Sequence, residues 1–259
     1  MNVLIVFAHP ERQSLNGALL DVAVSELHAQ GHQVQVSDLY AMNWKAIVDR
    51  DDFPRLKTTD RLKVAAESSK EFTARTLTDD VKAEQEKLLW ADTVILQFPL
   101  WWFTMPAILK GWVDRVYACG FAYGVGEHSD SRWGDRYGEG VMAGKRAMLI
   151  VTTGGWPEHY STRRISGPID YLLLPIHHGI LFYPGFTVLP PFVAYRADRT
   201  DDAKFALLER DLRIRMNTLA ETHPNAYRQQ NGGDYQIPTM QHLPDLEEPG
   251  GIGFALHIQ

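Results

Sequence analysis

Apolar residues along this chain recur in two periods, and the places where one period gives way to the other mark its elements. Asn2-Val-Leu-Ile-Val-Phe-Ala8 is a continuous apolar run, the pattern of a central parallel strand covered on both faces. It breaks at His9-Pro10. Ser14 then precedes Leu15, Ala18, Leu19, Val22, Ala23 and Leu27 at helical spacing, with Gly31 placed to close the helix. His32 to Asp38 alternates as a second strand, so the chain opens with a strand, a crossover helix and a parallel strand. Residues 40–78 have little period and predict a long excursion with one short helix. Asp79 to Trp90 is amphipathic, with Val81, Leu88 and Leu89 inward. Val94 to Phe98 reads as a buried strand stopped by Pro99, which has no N–H for another ladder bond. A helix from about Pro106 runs through Ile108, Leu109, Trp112, Val113, Val116 and Tyr117, with Gly120 as its stop. Arg146 to Thr152 predicts a fourth strand, Ile165 to His178 a helix interrupted at Pro175, and Phe186 to Leu189 a fifth strand. Asp201 to Leu219 is the last helix, with Phe205, Leu208, Leu212 and Met216 on one side.

Strands separated by helices make an α/β fold, a doubly wound parallel sheet with helices on both faces, and a count of five strands suits its flavodoxin-like version. That domain takes residues 1–220, and residues 221–259 form a Gly/Pro-rich extension. Such sheets bind ligands at the C-terminal ends of the strands flanking the switch in strand order. Here those ends are the loops after the first, third and fourth strands. In the first, which runs from His9 to Asn16 onto a helix N-terminus, Ser14 is either a simple helix cap or, with Asn16, a further donor to a phosphate bound there. In the second, Pro99-Leu100-Trp101-Trp102-Phe103, the aromatics either cap the core or face a planar ligand or a partner. The third, Thr152-Thr153-Gly154-Gly155, lets backbone approach a flat ring, because glycine has no Cβ. The agreement of three loops at one sheet edge is the signal that each lacks alone.

Composition narrows the partners. A net charge of −6 and a pI near 5.9 leave no electrostatic footprint for nucleic acid or an anionic membrane. Cys119 is the only cysteine, so no disulfide framework is possible, which fits the cytoplasm. Val3 to Ala8 is too short for a signal segment, and no apolar run reaches transmembrane length, so stable membrane insertion is not expected. Gly124-Val-Gly126 lacks the third glycine of a dinucleotide fingerprint, and neither a Walker A sequence nor a Gly-x-Ser-x-Gly elbow is present. Adjacent His177 and His178 diverge by about 100° on a helix and have no third ligand at suitable spacing, so no metal is expected.

Gln97-Phe-Pro-Leu-Trp-Trp-Phe103, Pro106-Ala-Ile-Leu-Lys-Gly-Trp-Val-Asp-Arg115 and Phe121-Ala-Tyr123 closely resemble the signature of the NAD(P)H:quinone oxidoreductases, the DT-diaphorase family. The resemblance extends to Ala8-His-Pro10 with Ser14-Leu-Asn16, to Thr152-Thr-Gly-Gly155 with Tyr160, to Gly179-Ile-Leu181 and to Gly185-Phe186. It thins between 40 and 78 and after about 220. What it implies is a flavodoxin-like homodimer that holds FAD, rather than FMN, at the subunit interface and reduces quinones by two electrons in a ping-pong cycle with NAD(P)H. By matching positions, His9, Ser14, Leu15 and Asn16 surround the FAD phosphates. Pro99 to Phe103 and Thr152 to Gly155 line the flavin ring, with Tyr160 near its pyrimidine end. Trp102, Phe103 and Tyr123 shape the pocket where nicotinamide and quinone alternate. Tyr160 is then the catalytic donor, with His159 as competing candidate, because the catalytic histidine of mammalian relatives is replaced here by Ser166. Trp101 replaces a glutamine, and Lys63 falls where relatives have a glutamine near the adenine. Two other classes stand beside the enzyme: a flavin-binding regulatory subunit of a potassium efflux transporter, and a flavodoxin-like electron carrier. The extension beyond 220 exceeds what a minimal carrier of about 150 to 180 residues needs.

Overall fold

Three strands are buried on both faces, and everything else is arranged about them. A computed structural model describes residues 1–246 and 253–258. β1 (Asn2–Phe7), β3 (Thr93–Pro99) and β4 (Arg146–Thr153) form the centre of the sheet, flanked by β2 (Gln33–Asp38) and β5 (Thr187–Val188) in the parallel order β2-β1-β3-β4-β5. This is the flavodoxin-like order, with its switch beside β1. One apolar layer packs the sheet against α3 (Asp79–Trp90), α4 (Ala107–Val116) and α5 (Ile169–Ile176). The other packs it against α1 (Leu15–Ala29) and α6 (Asp202–Asn217). Among the described residues no helix is long and apolar enough to cross a membrane.

Several boundaries differ from the sequence pattern for identifiable reasons. Pro99 stays in β3, in register with Thr152, because proline lacks only a donor; Leu100 N–H then donates to Thr152 O at 2.8 Å. Leu89 is 51% exposed, because the inward stripe of α3 is Val81, Glu84, Gln85 and Leu88. Polar residues occupy that stripe because they have partners: Glu84 accepts from Trp112 Nε1 at 2.8 Å and Gln85 donates to Val116 O at 2.9 Å. The helix expected from Ile165 begins only at Ile169, after Gly167 in the left-handed region and the Pro168 cap. Pro175 lies inside it, and a π turn, His177–Phe182, follows. The fifth strand is split at Pro190-Pro191 into β5 and β6 (Phe192–Tyr195), both paired with β4.

The 40–78 excursion holds a 3₁₀ turn, Arg50–Asp52, and α2 (Val64–Ala74). Buried Arg115 on α4 clamps it, pairing with Asp52 at 2.9 Å and lying 4.6 Å over the Trp44 ring. After α6 the chain folds back on itself. Asn225 N–H donates to Val188 O, Tyr227 enters the core, Gln230 N–H donates to Tyr137 O, and a hairpin of β7 (Tyr235–Gln236) and β8 (Gln241–His242) follows.

Candidate functional site

The three loops at the C-terminal ends of β1, β3 and β4 converge on one cleft of about 360 Å³. Ser14 caps α1, its Oγ accepting from Gly17 N–H at 3.3 Å and donating to Glu11 O at 2.6 Å. The cap also faces the cleft. His9 Nδ1 is tied to the loop, 3.1 Å from Glu11 N and 3.0 Å from Ser14 Oγ. Gly17 has a steric reason: a Cβ there would lie 1.8 Å from Arg12 O, where the loop folds over the helix start.

Buried side chains lock the loops to one another. Asn16 Nδ2 donates to Thr152 Oγ1 at 2.7 Å, and Gln97 Nε2 donates to Asn16 O at 2.7 Å. This leaves Asn16 Oδ1 and Gln97 Oε1 buried without a hydrogen-bond donor. A buried acceptor without a donor is costly, and Asn16 lines the cleft, so a ligand bearing hydroxyls or N–H groups fits there.

The loop after β3 is strained. Trp102 and Phe103 take φ of 50° and 63° in a turn closed by Thr104 N–H to Trp101 O at 3.1 Å. Bulky side chains in the left-handed region cost of order 1–3 kcal/mol each. Trp102 is 94% exposed, while Trp101 turns back toward His9, with ring centroids 6.1 Å apart. The loop after β4 is held from the other side. Tyr160 OH and Thr153 Oγ1 are 2.7 Å apart, and a Cβ on Gly155 would sit 2.7 Å from the Tyr160 ring. Arg196 N–H donates to Gly155 O at 3.0 Å, and its guanidinium lies 3.7 Å over Trp156.

Of the residues singled out from sequence, His9, Ser14, Leu15, Asn16, Pro99, Leu100, Trp101, Thr152, Thr153 and Gly154 line the cleft together. Gly155 and Tyr160 stand behind it through Thr153, and Trp102 and Phe103 form its outer lip. Tyr123 is elsewhere: with Gly179 and Tyr183 it lines a second cavity of about 570 Å³, where burial lifts its phenol above the ordinary value. His159 is exposed, and Ser166 N–H donates to its carbonyl at 3.3 Å, so the loop brings these two positions side by side. Lys63 starts α2 and is not in the cleft. Ala197 and Asp198, which do line it, were missed; their signal is that they follow β6, a further strand ending at the same edge.

An open parallel sheet with this strand order and a polar cleft at its switch defines the flavodoxin-like class. Residues 1–215 match the family described by a flavodoxin-like fold, and the chain belongs to it. A ribosyldihydronicotinamide dehydrogenase-like protein of Penicillium crustosum is 61% identical over 100% of this chain and 96% of its own. NAD(P)H dehydrogenase [quinone] 1 of Rattus norvegicus is 40% identical over 85% of this chain and 78% of its own. A crystal structure from Klebsiella pneumoniae, provisionally described as a quinone reductase, superimposes with a TM-score of 0.97 at 59% identity, covering 100% of both chains.

Proposed function

We propose that this protein is an FAD-dependent quinone reductase that takes hydride from a reduced nicotinamide and delivers two electrons to a quinone, in a ping-pong cycle. The observation that carries the reading is the Asn16 acceptor left without a donor where three strand-end loops meet. A ribityl or phosphate-bearing cofactor matches that donor set: the His9 ring and the first amides of α1 suit a pyrophosphate, and Asn16 Oδ1 suits a hydroxyl. When bound, the flavin supplies hydride acceptance and return. The remaining tasks fall to the chain. Leu100, Trp101 and Gly154 give a flat wall for a ring. Tyr160, oriented by Thr153, offers a phenol to charge developing at the pyrimidine end. Trp102 and Phe103 shield the reacting face from water. Each turnover consumes one hydride and one proton and converts a quinone to a hydroquinone.

The reading includes a homodimer. The lip aromatics Trp101, Trp102 and Phe103 are exposed, and the Tyr123 cavity shares no lining residue with the cleft of its own chain. A two-fold pair brings one chain's lip against the other's cavity, which gives both a covering, with the extension from residue 221 beside that interface.

Relatives are named for two donors, ribosyldihydronicotinamide and NAD(P)H. Steady turnover of the purified protein with a benzoquinone and, in turn, NADH, NADPH and dihydronicotinamide riboside ranks them. Mass identification of the released flavin is expected to give FAD. Absence of quinone-dependent oxidation with all three donors overturns the enzyme reading, and FMN alone overturns the cofactor assignment.

A further inference from the structure

A third cavity, of about 390 Å³, lies where the segment after α6 folds back onto residues 133–140 and the π turn. It shares no lining residue with the cleft or with the Tyr123 cavity. Its volume falls in the range of small-molecule sites, about 300 to 1,000 Å³.

Its lining is unlike the rest of the chain. Acidic residues outnumber basic ones by 32 to 26 overall, yet two arginines and no carboxylate line this cavity. Arg228 is paired with Asp234 at 2.8 Å. Arg136 makes one side-chain hydrogen bond, Nε to Gln230 Oε1 at 2.5 Å, and its two terminal nitrogens have no partner among the described residues. Among the described residues, then, no carboxylate stands opposite the Arg136 guanidinium. The other walls are ring faces. Tyr137 and His178 stack at 4.7 Å, and Tyr235 and His257 lie within 20° of parallel at 5.8 Å, with Tyr235 OH 2.8 Å from His257 Nδ1. Burial holds the His178 imidazole down to about 4 and His257 below its ordinary value, so both are neutral at pH 7 and present faces rather than charges. Among the described residues no group of histidine, cysteine and carboxylate side chains is spaced to hold a metal ion.

We propose that this cavity binds a small planar aromatic carboxylate, its anionic end on Arg136 and its ring against the faces of Tyr137, His178, Tyr235 and His257. A guanidinium whose two terminal nitrogens present one free N–H edge matches a carboxylate in shape and charge, and stacked aromatic walls match a flat ring. The inference stands apart from the quinone reductase reading.

The test titrates the full-length, flavin-loaded protein calorimetrically with 2-naphthoate and with its neutral counterpart 2-naphthamide, each with and without a saturating benzoquinone. Naphthoate is expected to bind one per chain, at least about tenfold more tightly than the amide, and unaffected by the quinone. Arg136→Gln should weaken it about tenfold to a hundredfold, as loss of a charge-assisted hydrogen-bond pair does. Met240→Trp enlarges a wall residue of the cavity and leaves the arginines in place, so it should abolish binding while quinone turnover is unchanged. Equal affinity for acid and amide, displacement by the quinone, or naphthoate binding that survives Met240→Trp would each overturn the proposal; the last applies even where Arg136→Gln fails to fold.

Discussion

Trp112 and Trp102 lie ten residues apart and are held in opposite ways. Trp112 is fully buried on α4, its indole N–H donating to Glu84 Oε2 at 2.8 Å. Glu84 is itself paired with Lys87, which also donates to Ser37, so every polar group in the chain of contacts has a partner. Trp102 sits at the lip of the cleft, 94% exposed, in a left-handed conformation, with no hydrogen bond or ring contact among the described residues. The first arrangement is what a fold needs. The second costs stability within one chain, a cost that the proposed dimer would offset. The contrast separates residues that maintain the scaffold from residues that the proposed function assigns to a ligand or partner, and each expected outcome below bears on it.

The largest effect belongs to the core. Trp112→Ala removes a fully buried indole and strands the Glu84 carboxylate with Lys87 alone, which should lower unfolding free energy by about 3–5 kcal/mol. Trp112→Phe keeps most of the packing and loses only the N–H, so its cost should be about 1–3 kcal/mol. Urea denaturation distinguishes the two; equal losses would mean that packing alone holds this site. His177 offers a second scaffold test. It is buried with Nε2 unpartnered, and desolvation holds its folded pKa down to about 4. Unfolded histidine titrates near 6.5, so between those values the unfolded chain binds more protons, and stability falls as pH drops from about 6.5 to 4. The single-site contribution is of order 3 kcal/mol across that window. His177→Leu should therefore unfold with a shallower pH dependence than the parent between pH 6.5 and 4. Parallel curves would show that the histidine is not neutral in the folded state.

The contrast also explains what was legible in the sequence. Strand order, the crossover helices and the cleft were readable because Val3 to Phe7, Val94 to Phe98 and Ala147 to Val151 are continuous apolar runs that end in non-helical loops. Proline and glycine punctuation placed those loops, so ten cleft residues were found from chain position alone. What was missed depended on partners distant in sequence. Glu84 and Gln85 look like a solvent face until Trp112 and the Val116 carbonyl are seen to receive them, which is why Leu89 was wrongly turned inward. Ala197 and Asp198 escaped because Pro190-Pro191 hid a second short strand whose end reaches the cleft. Tyr123 was joined to the cleft by family likeness, whereas a single chain keeps it in another cavity.

An intermediate effect is expected at Tyr160, which belongs to neither extreme: half-buried, held by Thr153, and next to Gly155. Tyr160→Phe keeps the ring against Gly155 and deletes the phenol. Stopped-flow reduction of the bound flavin should slow about tenfold to a hundredfold, the loss of one donor to developing charge, with little change in melting temperature. His159→Ala, measured across pH 5.5 to 8.5, asks whether the neighbouring imidazole carries a proton in place of Ser166; that range brackets the ordinary histidine pKa of about 6.5. A pH step lost only in His159→Ala moves the proton role to that residue, and an unchanged rate in Tyr160→Phe removes the tyrosine from the reaction.

The smallest effect on stability, and the sharpest test of the contrast, is Trp102→Gly. Glycine adopts the left-handed conformation without the Cβ clash, so the change should stabilise an isolated chain by about 0.5–1 kcal/mol even though it deletes a large side chain. For a domain of this size that is a rise of roughly 2–4 °C per kcal/mol in the melting temperature. The same substitution removes the most exposed aromatic of the lip and should weaken the proposed homodimer, which light scattering over a dilution series reads directly. The two measurements must therefore move in opposite directions: dilute protein melts slightly higher, while the mass falls to that of one chain at a higher concentration than in the parent. A lower melting temperature at every concentration, with unchanged mass, would mean that Trp102 packs within its own chain, and the distinction between the two tryptophans would then fail.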